Sequence, residues 1–165
     1  MFQTLKTQLL SGQISFNQAL PQALPLLREK ISDEKLLWLA SELQGYSNAI
    51  EYFQHKNHGL PEYRIVPGAL RFVTPDGNVQ ELNHPYARYS HFFLGAPISW
   101  LEEFSSYPGD ISIVDIPELT AFMGGIGGVI CETRKSELRR IIATFRNEFI
   151  AILDQAAASQ TTGAQ

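Results

Sequence analysis

Cysteine is nearly absent from this sequence, with Cys131 as the single example in 165 residues. No disulfide can form within the chain, which fits a reducing compartment. No apolar run approaches the roughly 18 residues that a membrane-spanning helix needs. Residues 1–10 also lack the basic segment followed by an apolar segment that marks a secretory signal. We therefore expect no membrane contact and, by default, a cytoplasmic location.

An excess of positive charge is also missing. The 13 lysines and arginines stand against 17 aspartates and glutamates, which gives a formal net charge of −4. This balance argues against a generally nucleic-acid-binding surface but leaves room for a local basic patch. With 44% hydrophobic and 18% charged residues, the composition is that of a soluble globular protein. The length favours one domain with a sizeable core.

The first part of the chain has helical periodicity. Residues 1–10 predict a short helix, and residues 15–31 predict a second one because their apolar positions recur at spacings of three and four. Pro21 and Pro25 interrupt the second pattern, so we expect a late start or a kink. Residues 32–45 predict a third helix, with Ser32 as its N-cap and Gly45 at its end. We expect these helices to pack as an antiparallel pair.

The period changes to that of strands after residue 60. Residues 63–73 predict one edge strand that bends at Pro67 and Gly68. Residues 74–77, Thr-Pro-Asp-Gly, predict a turn. Residues 78–82 would then return as the second strand of a hairpin.

The second half of the chain alternates short elements before a long helix. Residues 99–105 predict a short helix with a capping-box spacing, residues 111–114 a strand and residues 117–123 another short helix. Residues 129–132 are typical of a buried strand. We expect Thr133 to cap the longest helix, whose apolar residues step at three and four.

These elements predict an α+β fold. It comprises an N-terminal helical hairpin, a small and mainly antiparallel sheet, and a long C-terminal amphipathic helix. We expect residues 1–155 to form a single domain. Residues 156–165 are small and polar, so we interpret them as a flexible tail or linker without core-forming residues.

Residues with reactive side chains form no constellation that indicates a reaction. Cys131 lies in an apolar strand and is interpreted as an inert core thiol. The glycine-rich residues 124–128 precede a strand rather than a helix, which favours a flexible connector over a phosphate loop. His55 and His58 have too few companion ligands for zinc and are interpreted as surface histidines. We expect no metal and no cofactor.

Two acidic residues leave a nuclease hypothesis open. Asp110 and Glu132, with Arg134 and Lys135 after them, weakly resemble the acid–acid–base pattern of metal-dependent nucleases. Such an enzyme needs both carboxylates and a cation at one metal, so the hypothesis requires the two side chains to lie within about 8 Å of each other. Helix capping and surface charge are the preferred explanation.

Arginines are concentrated in the last helix. Arg139 and Arg146 are seven residues apart and would share a helix face, with Arg140 beside them. Ion pairing with neighbouring glutamates is the preferred interpretation. The alternative is a face that holds an acidic partner or nucleic acid, because arginine pairs bidentately with carboxylates and phosphates.

Aromatic residues are dense between residues 86 and 100. Core filling is the first interpretation for them. If several proved to be exposed, they would favour a protein-contact patch, since aromatics are enriched at the centres of interfaces.

Three stretches together carry a family resemblance. They are residues 36–46 (LLWLASELQGY), residues 60–68 (LPEYRIVPG) and the last helix over residues 136–153. In order and spacing, residues 15–155 resemble the AbiTii domain, a bacterial abortive-infection module. In that family a helix ending Trp-x-x-x-Glu-Leu-x-Gly-Tyr precedes a Pro-x-Tyr-Arg strand, and an arginine-bearing helix closes the domain. The positions that match here are Trp38, Glu42, Gly45, Tyr46, Pro61, Tyr63, Arg64, Arg139 and Arg146.

The resemblance implies a role in phage defence but brings no established catalytic residue. The chain departs from the family pattern in its Pro21 and Pro25 pair and in lacking a tryptophan near the end of the last helix. An arginine in a half-buried strand needs a carboxylate partner, and we predict that Glu42 is the partner of Arg64. An internal tie between helix and sheet is preferred over a ligand site.

Two further expectations concern the tyrosines of the shared block. Tyr46 should pack beside the helix end with its hydroxyl near water. In the predicted strand, Tyr63 and Ile65 should point to one face, and Arg64 and Val66 to the other.

We therefore expect a non-enzymatic interaction or regulatory module of bacterial phage defence that acts through protein–protein contacts or oligomerisation. One alternative is a toxic effector enzyme of the metal-dependent nuclease type. A second alternative is a nucleic-acid-binding module that uses the arginine face of the last helix. The candidate interaction or structural residues are Glu42, Tyr46, Tyr63, Arg64, Arg139 and Arg146.

Overall fold

The structure is a computed structural model that describes residues 1–52, 60–122, 124 and 127–163. The α-helices of the described residues are α1 (Phe2–Leu10), α2 (Phe16–Leu27), α3 (Asp33–Gln44), α4 (Ile98–Ser106), α5 (Pro117–Phe122) and α6 (Lys135–Gly163). The strands are β1 (Ile65–Pro67), β2 (Ala69–Val73), β3 (Val79–Glu81), β4 (His91–Phe93), β5 (Ile111–Asp115) and β6 (Gly128–Arg134). The predicted α+β class, with its N-terminal helical hairpin, small antiparallel sheet and long last helix, is confirmed.

Local side-chain bonds determine where α2 and α3 begin. The Ser15 hydroxyl accepts from the backbone N–H of Gln18, whose side chain accepts in turn from the Ser15 backbone N–H. Helix α2 therefore begins at Phe16, so of the two predicted effects of Pro21 and Pro25, a late start or a kink, the late start does not occur. Pro21 and Pro25 both lie on the exposed side of α2, where carbonyls that lose a helical donor can bind water. The Ser32 cap of α3 is confirmed.

The strands form two separate antiparallel sheets. One pairs β1 with β4, and the other has the order β3-β2-β6-β5. The prediction of a single bent strand over residues 63–73 is therefore wrong, because the chain changes sheets at Gly68. A Cβ atom at Gly68 would lie 2.6 Å from the carbonyl oxygen of Glu132, so a larger residue could not pass so close to β6. The β2–β3 hairpin and its turn are confirmed.

Two predicted caps are not formed. Helix α4 has Pro97 in the N-cap position without a side-chain bond, so the capping box predicted for residues 99–102 is wrong. Thr133 belongs to β6, and its hydroxyl donates to the carbonyl of Pro67 (2.7 Å) instead of capping a helix. Helix α6 begins at Lys135, directly after the strand. The two errors differ in cause: α4 begins one residue before the predicted cap, whereas Thr133 makes a nonlocal bond in place of a local one.

The core lies between α6 and the elements that surround it. Phe145 occupies its centre, with its ring centroid 5.0 Å from that of Phe16, 5.6 Å from that of Trp38 and 5.6 Å from that of Phe149. Helix α6 continues to Gly163, and Ala156 is buried against the core. The prediction that the last ten residues hold no core-forming residue is wrong at Ala156, because the apolar face of α6 continues to that position.

Two further predictions can be compared with the burial of side chains. Core filling is confirmed for Phe92 and Phe93, which are fully buried, whereas Trp100 is partly exposed. None of the helices in the described ranges combines the length and apolar character needed to cross a bilayer.

A buried ion-pair cluster as the candidate functional site

The polar residues of the shared motif converge at one end of α3. Trp38 and Glu42 are one helical turn apart on α3, and Tyr46 follows directly after the cap residue Gly45. Tyr63 and Arg64 are delivered by a short 3-10 turn, Glu62–Arg64, that precedes β1. The prediction that Tyr63 and Arg64 lie in a strand is therefore wrong. We call Trp38, Glu42, Tyr46, Tyr63 and Arg64 the Glu42 cluster.

Arg64 is fully buried and its guanidinium is bound on two sides. Its Nη2 and Nε atoms donate to Oε2 and Oε1 of Glu42 at 2.5 and 3.1 Å. Its Nη1 atom donates to the backbone carbonyls of Leu94 (2.7 Å) and Ala96 (2.6 Å). The predicted pairing of Arg64 with Glu42 is confirmed. The pair joins α3 to the chain segment between β4 and α4.

The Glu42 carboxylate accepts four hydrogen bonds from side chains. Besides the two from Arg64, the hydroxyls of Tyr46 (2.9 Å) and Tyr63 both donate to Oε1. Trp38 Nε1 in turn donates to the hydroxyl oxygen of Tyr63 at 3.0 Å. A carboxylate has about four lone-pair positions. Oε1 accepts three of these bonds and Oε2 accepts one, so both oxygens of the Glu42 carboxylate are bound within the protein.

Burial and neighbouring charges raise the pKa values of Tyr46, Tyr63 and Arg64. Burial, followed by the charge of Glu42, raises the pKa of the Tyr46 hydroxyl far above its ordinary value, and the same causes raise the pKa of Tyr63. For Arg64, burial disfavours the cation, but the Glu42 carboxylate outweighs it and raises the pKa of the guanidinium. Both phenols therefore remain hydrogen-bond donors at neutral pH. The expectation that the Tyr46 hydroxyl lies near water is wrong, since Tyr46 is buried.

Close packing holds Tyr46 in place. The Arg64 Cζ atom lies 4.9 Å from the centre of the Tyr46 ring, and Phe93 contacts the same ring edge-on with a centroid distance of 5.4 Å. The Tyr46 backbone N–H donates to the carbonyl of Gly95 at 2.8 Å. A Cβ atom on Gly95 would lie 2.6 Å from the Cβ atom of Ala49, so glycine is required for this approach.

The outer side of the cluster forms one wall of an open groove of about 540 Å³. Trp38, Pro61 and Tyr63 line this wall, and Ala151 and Ile152 of α6 lie in the same groove. Because Tyr63 is bonded to Glu42 and Trp38, the groove wall is fixed by the buried ion pair. The Glu42 cluster therefore holds this wall of the groove in place.

The two acidic residues of the nuclease hypothesis are not brought together. The neighbour of Glu132 on β5 is Ile113, and Asp110 lies three residues before Ile113. That offset places the two backbones about 10 Å apart along the strand direction. The Glu132 carboxylate instead lies 3.8 Å from Arg71 Nε. The geometry gives the nuclease hypothesis no support.

Other candidate groups are also separate from one another. Burial raises the pKa of the Cys131 thiol to about 12, which keeps it protonated in the core. Among the described residues, no three side chains of histidine, cysteine, aspartate or glutamate gather where a metal ion could bind. His55 and His58 lie outside the described residues, as do residues 125 and 126 of the glycine-rich segment.

The arginines of α6 have three different surroundings. Arg140 donates to the carbonyls of Tyr63 (2.9 Å) and Ile65 (3.1 Å), so it fastens α6 to the chain beside the Glu42 cluster. Arg146 lies over the ring of Phe16, with its Cζ atom 5.7 Å from the centroid. Arg139 lines a recess beside β5 and the start of α6. The structure therefore does not gather them into one basic face.

Sequence reasoning found the ion pair but missed the bonds that complete it. Trp38 was noted only as a matching motif position, and Arg140 only as one of several basic residues. The backbone carbonyls of Leu94 and Ala96 carry no signal in the sequence, since every residue has a carbonyl. Buried charges require partners, and this rule alone predicted the pairing of Arg64 with Glu42.

The fold and the cluster define a small α+β module in which the polar residues of the shared motif form an internal brace between helix and sheet. The AbiTii family model matches residues 2–157, and the chain belongs to the AbiTii family. Membership of this family indicates an abortive-infection defence module. No curated protein and no solved structure matches the chain.

Proposed function

We propose that the protein serves bacterial abortive-infection defence as a non-enzymatic module that acts through protein–protein contacts. The observation that carries this proposal is the internal use of the Glu42 carboxylate, which accepts hydrogen bonds from Arg64, Tyr46 and Tyr63. A general base needs an acceptor within reach of a substrate proton. Here the motif residues bind one another instead.

The remaining chemistry of the described residues points the same way. The Cys131 thiol is buried and protonated, so it lacks the thiolate character of a nucleophile. Asp110 lies three residues along the strand from the neighbour of Glu132, and Glu132 faces Arg71. Exposed apolar side chains, by contrast, occur together on strand β5 at Ile111 and Ile113. Clustered exposed apolar side chains favour a role in contacting other proteins.

The proposal is tested by removing the two acids of the nuclease hypothesis. We expect the double variant Asp110→Asn/Glu132→Gln to restrict phage as well as the unaltered protein does, because neither carboxylate takes part in a reaction. The measurement is the plating efficiency of a restricted phage on cells that carry the complete gene locus. Asp76→Asn/Glu81→Gln is the matched control, since it removes two carboxylates from the same sheet region.

Thermal unfolding of both purified double variants shows whether they remain folded. Restriction by the folded Asp110→Asn/Glu132→Gln protein supports the proposal. Loss of restriction by that variant, while it unfolds cooperatively and the control variant still protects, would overturn it in favour of an acid-dependent enzyme.

A further inference from the structure

Strand β5 is an open edge of the four-stranded sheet. In the described part of the chain it pairs only with β6, on one side. Two backbone hydrogen bonds at the ends of β5 show which of its residues are bonded to β6: Lys135 N donates to Asp110 O, and Ile116 N donates to Val129 O. In an antiparallel ladder, hydrogen-bonded residues alternate along the strand. The N–H and C=O groups of residues 111, 113 and 115 therefore point away from β6.

The side chains of β5 make this edge apolar as well as open. Ile111 is 57% exposed and Ile113 is 52% exposed, while Val114 is fully buried against the core. Proteins usually protect an edge strand with lysine, proline or a bulge. Strand β5, Ile-Ser-Ile-Val-Asp, contains neither lysine nor proline and pairs with β6 without a bulge, and its one charged residue, Asp115, stands at its end. Such an edge favours the addition of another strand.

We infer that β5 pairs with β5 of a second copy of the chain, antiparallel and about a two-fold axis at Ile113. This inference names the partner in the protein contacts of the proposed function and rests on that function for its biological role. The pattern of free backbone groups requires odd-numbered residues to face odd-numbered residues. Ile113 then faces its own copy, and Ile111 faces Asp115 of the second chain.

The charges along this edge complement each other in that register. On its own sheet, Ile111 lies beside Arg134 of β6, and both Arg134 and Asp115 are exposed. In the paired state, Asp115 of the second copy lies on the other side of Ile111, about 10 Å from Arg134 between backbones. An arginine side chain can lie over an apolar residue and place its charged end at a carboxylate beyond it. The two-fold axis forms this contact twice.

The neighbouring residues allow the pairing and also limit it. The two Glu132 residues would lie three strand spacings apart, about 14 Å, a distance at which salt screens their repulsion, and each already faces Arg71 of its own chain. Pairing would end where Gly109 faces Pro117, since proline has no backbone N–H to donate. A contact of this length belongs to the small, reversible class of interfaces. We therefore expect a concentration-dependent dimer.

Sedimentation of the full-length protein over a concentration series tests the dimer. In Ile113→Lys, two lysines face each other across the axis, and we expect the dimer dissociation constant to rise about tenfold or more. The monomer tolerates this change, because residue 113 is exposed and lies beside Glu132. Val79→Lys is the matched control: Val79 is 53% exposed on β3, the opposite edge of the sheet. We expect this variant to dimerise as the unaltered protein does.

Cysteine cross-linking tests the register. The Cα atoms of two residues at position 113 would be about 5.5 Å apart, within the range of a disulfide, whereas those at position 111 would be about 14 Å apart. Under mild oxidation we expect Ile113→Cys to form a covalent dimer and Ile111→Cys to form little or none. Native Cys131 is buried and does not compete.

Three results would overturn the inference. They are a protein that stays monomeric at every concentration, a dimer that Ile113→Lys does not weaken, and equal cross-linking of the two cysteine variants. If the protein proved monomeric and the Asp110→Asn/Glu132→Gln variant still protected cells, a second copy would be ruled out as the partner. The proposed function would remain in place. The two failures are therefore distinguishable.

Discussion

Glu42 and Arg64 carry opposite charges in a part of the protein that water does not reach. Moving two charges out of water costs free energy, and their attraction offsets that cost only when further hydrogen bonds satisfy both groups. Tyr46 and Tyr63 supply these bonds to the carboxylate, and two backbone carbonyls supply them to the guanidinium. The residues of the motif therefore depend on one another, and the loss of one partner leaves a buried charge unpaired.

This dependence gives a prediction at the residue scale. Arg64→Met should lower the free energy of unfolding by about 3–5 kcal/mol, because the Glu42 charge stays buried without its cation. Arg71→Met is the matched control: Arg71 also faces a glutamate, Glu132, but that pair is partly exposed to water. An exposed pair contributes about 1 kcal/mol or less. Urea denaturation measures both variants, and equal losses would contradict the interpretation of the cluster as a brace.

At the scale of elements, the position that organises the sheets is Gly68. Strands β1 and β2 are separated in sequence by this residue alone, yet they pair with β4 in one sheet and with β3 and β6 in the other. The glycine passes so close to the Glu132 carbonyl that a side chain would collide with backbone. The position of β1, and with it the turn that carries Arg64, depends on this approach.

Gly68→Ala should therefore destabilise the fold, by about 1–3 kcal/mol, which is the usual cost of forcing extra atoms into a packed site. Gly128→Ala is a suitable control, because no atom lies within 4 Å of a Cβ built there. Thermal unfolding compares the two variants. A Gly68→Ala protein as stable as Gly128→Ala would show that the change of sheets does not depend on glycine.

The same elements show how far the sequence predicts the fold. The helices and the β2–β3 hairpin follow from periodicity, caps and turn residues, which act over a few positions and can be read locally. The change of sheets at Gly68 could not be predicted, because β4 and β6 are distant in sequence from β1 and β2. The position of Thr133 in a strand could not be predicted for a related reason: its hydroxyl donates to the carbonyl of Pro67, 66 residues earlier.

The candidate site was predictable to a similar extent. The pairing of Arg64 with Glu42 follows from the rule that buried charges are paired. The roles of Tyr46 and Tyr63 as donors to one carboxylate oxygen do not follow from any spacing, since they depend on where the 3-10 turn meets the end of α3. The surroundings of Arg140 depend in the same way on how α6 lies against β1.

For the whole molecule, the central claim is that the buried charges of the Glu42 cluster stabilise the fold and that defence depends on the protein surface. Tyr63→Phe separates these roles, because it removes one hydroxyl from the groove wall and leaves Glu42 and Arg64 paired. A lost hydrogen bond to a charged group costs about 1.5–3 kcal/mol, which a domain with a stability of about 5–15 kcal/mol survives. A variant that stays folded therefore shows whether the Tyr63 hydroxyl is needed for more than the fold.

The plating efficiency of a restricted phage on cells that produce Tyr63→Phe, combined with a denaturation curve of the purified variant, is the most direct measurement. We predict that the variant unfolds cooperatively at lower denaturant concentration and still restricts phage. A variant that is cooperatively folded but no longer restricts phage would contradict the claim, because the hydroxyl would then be needed for more than the fold.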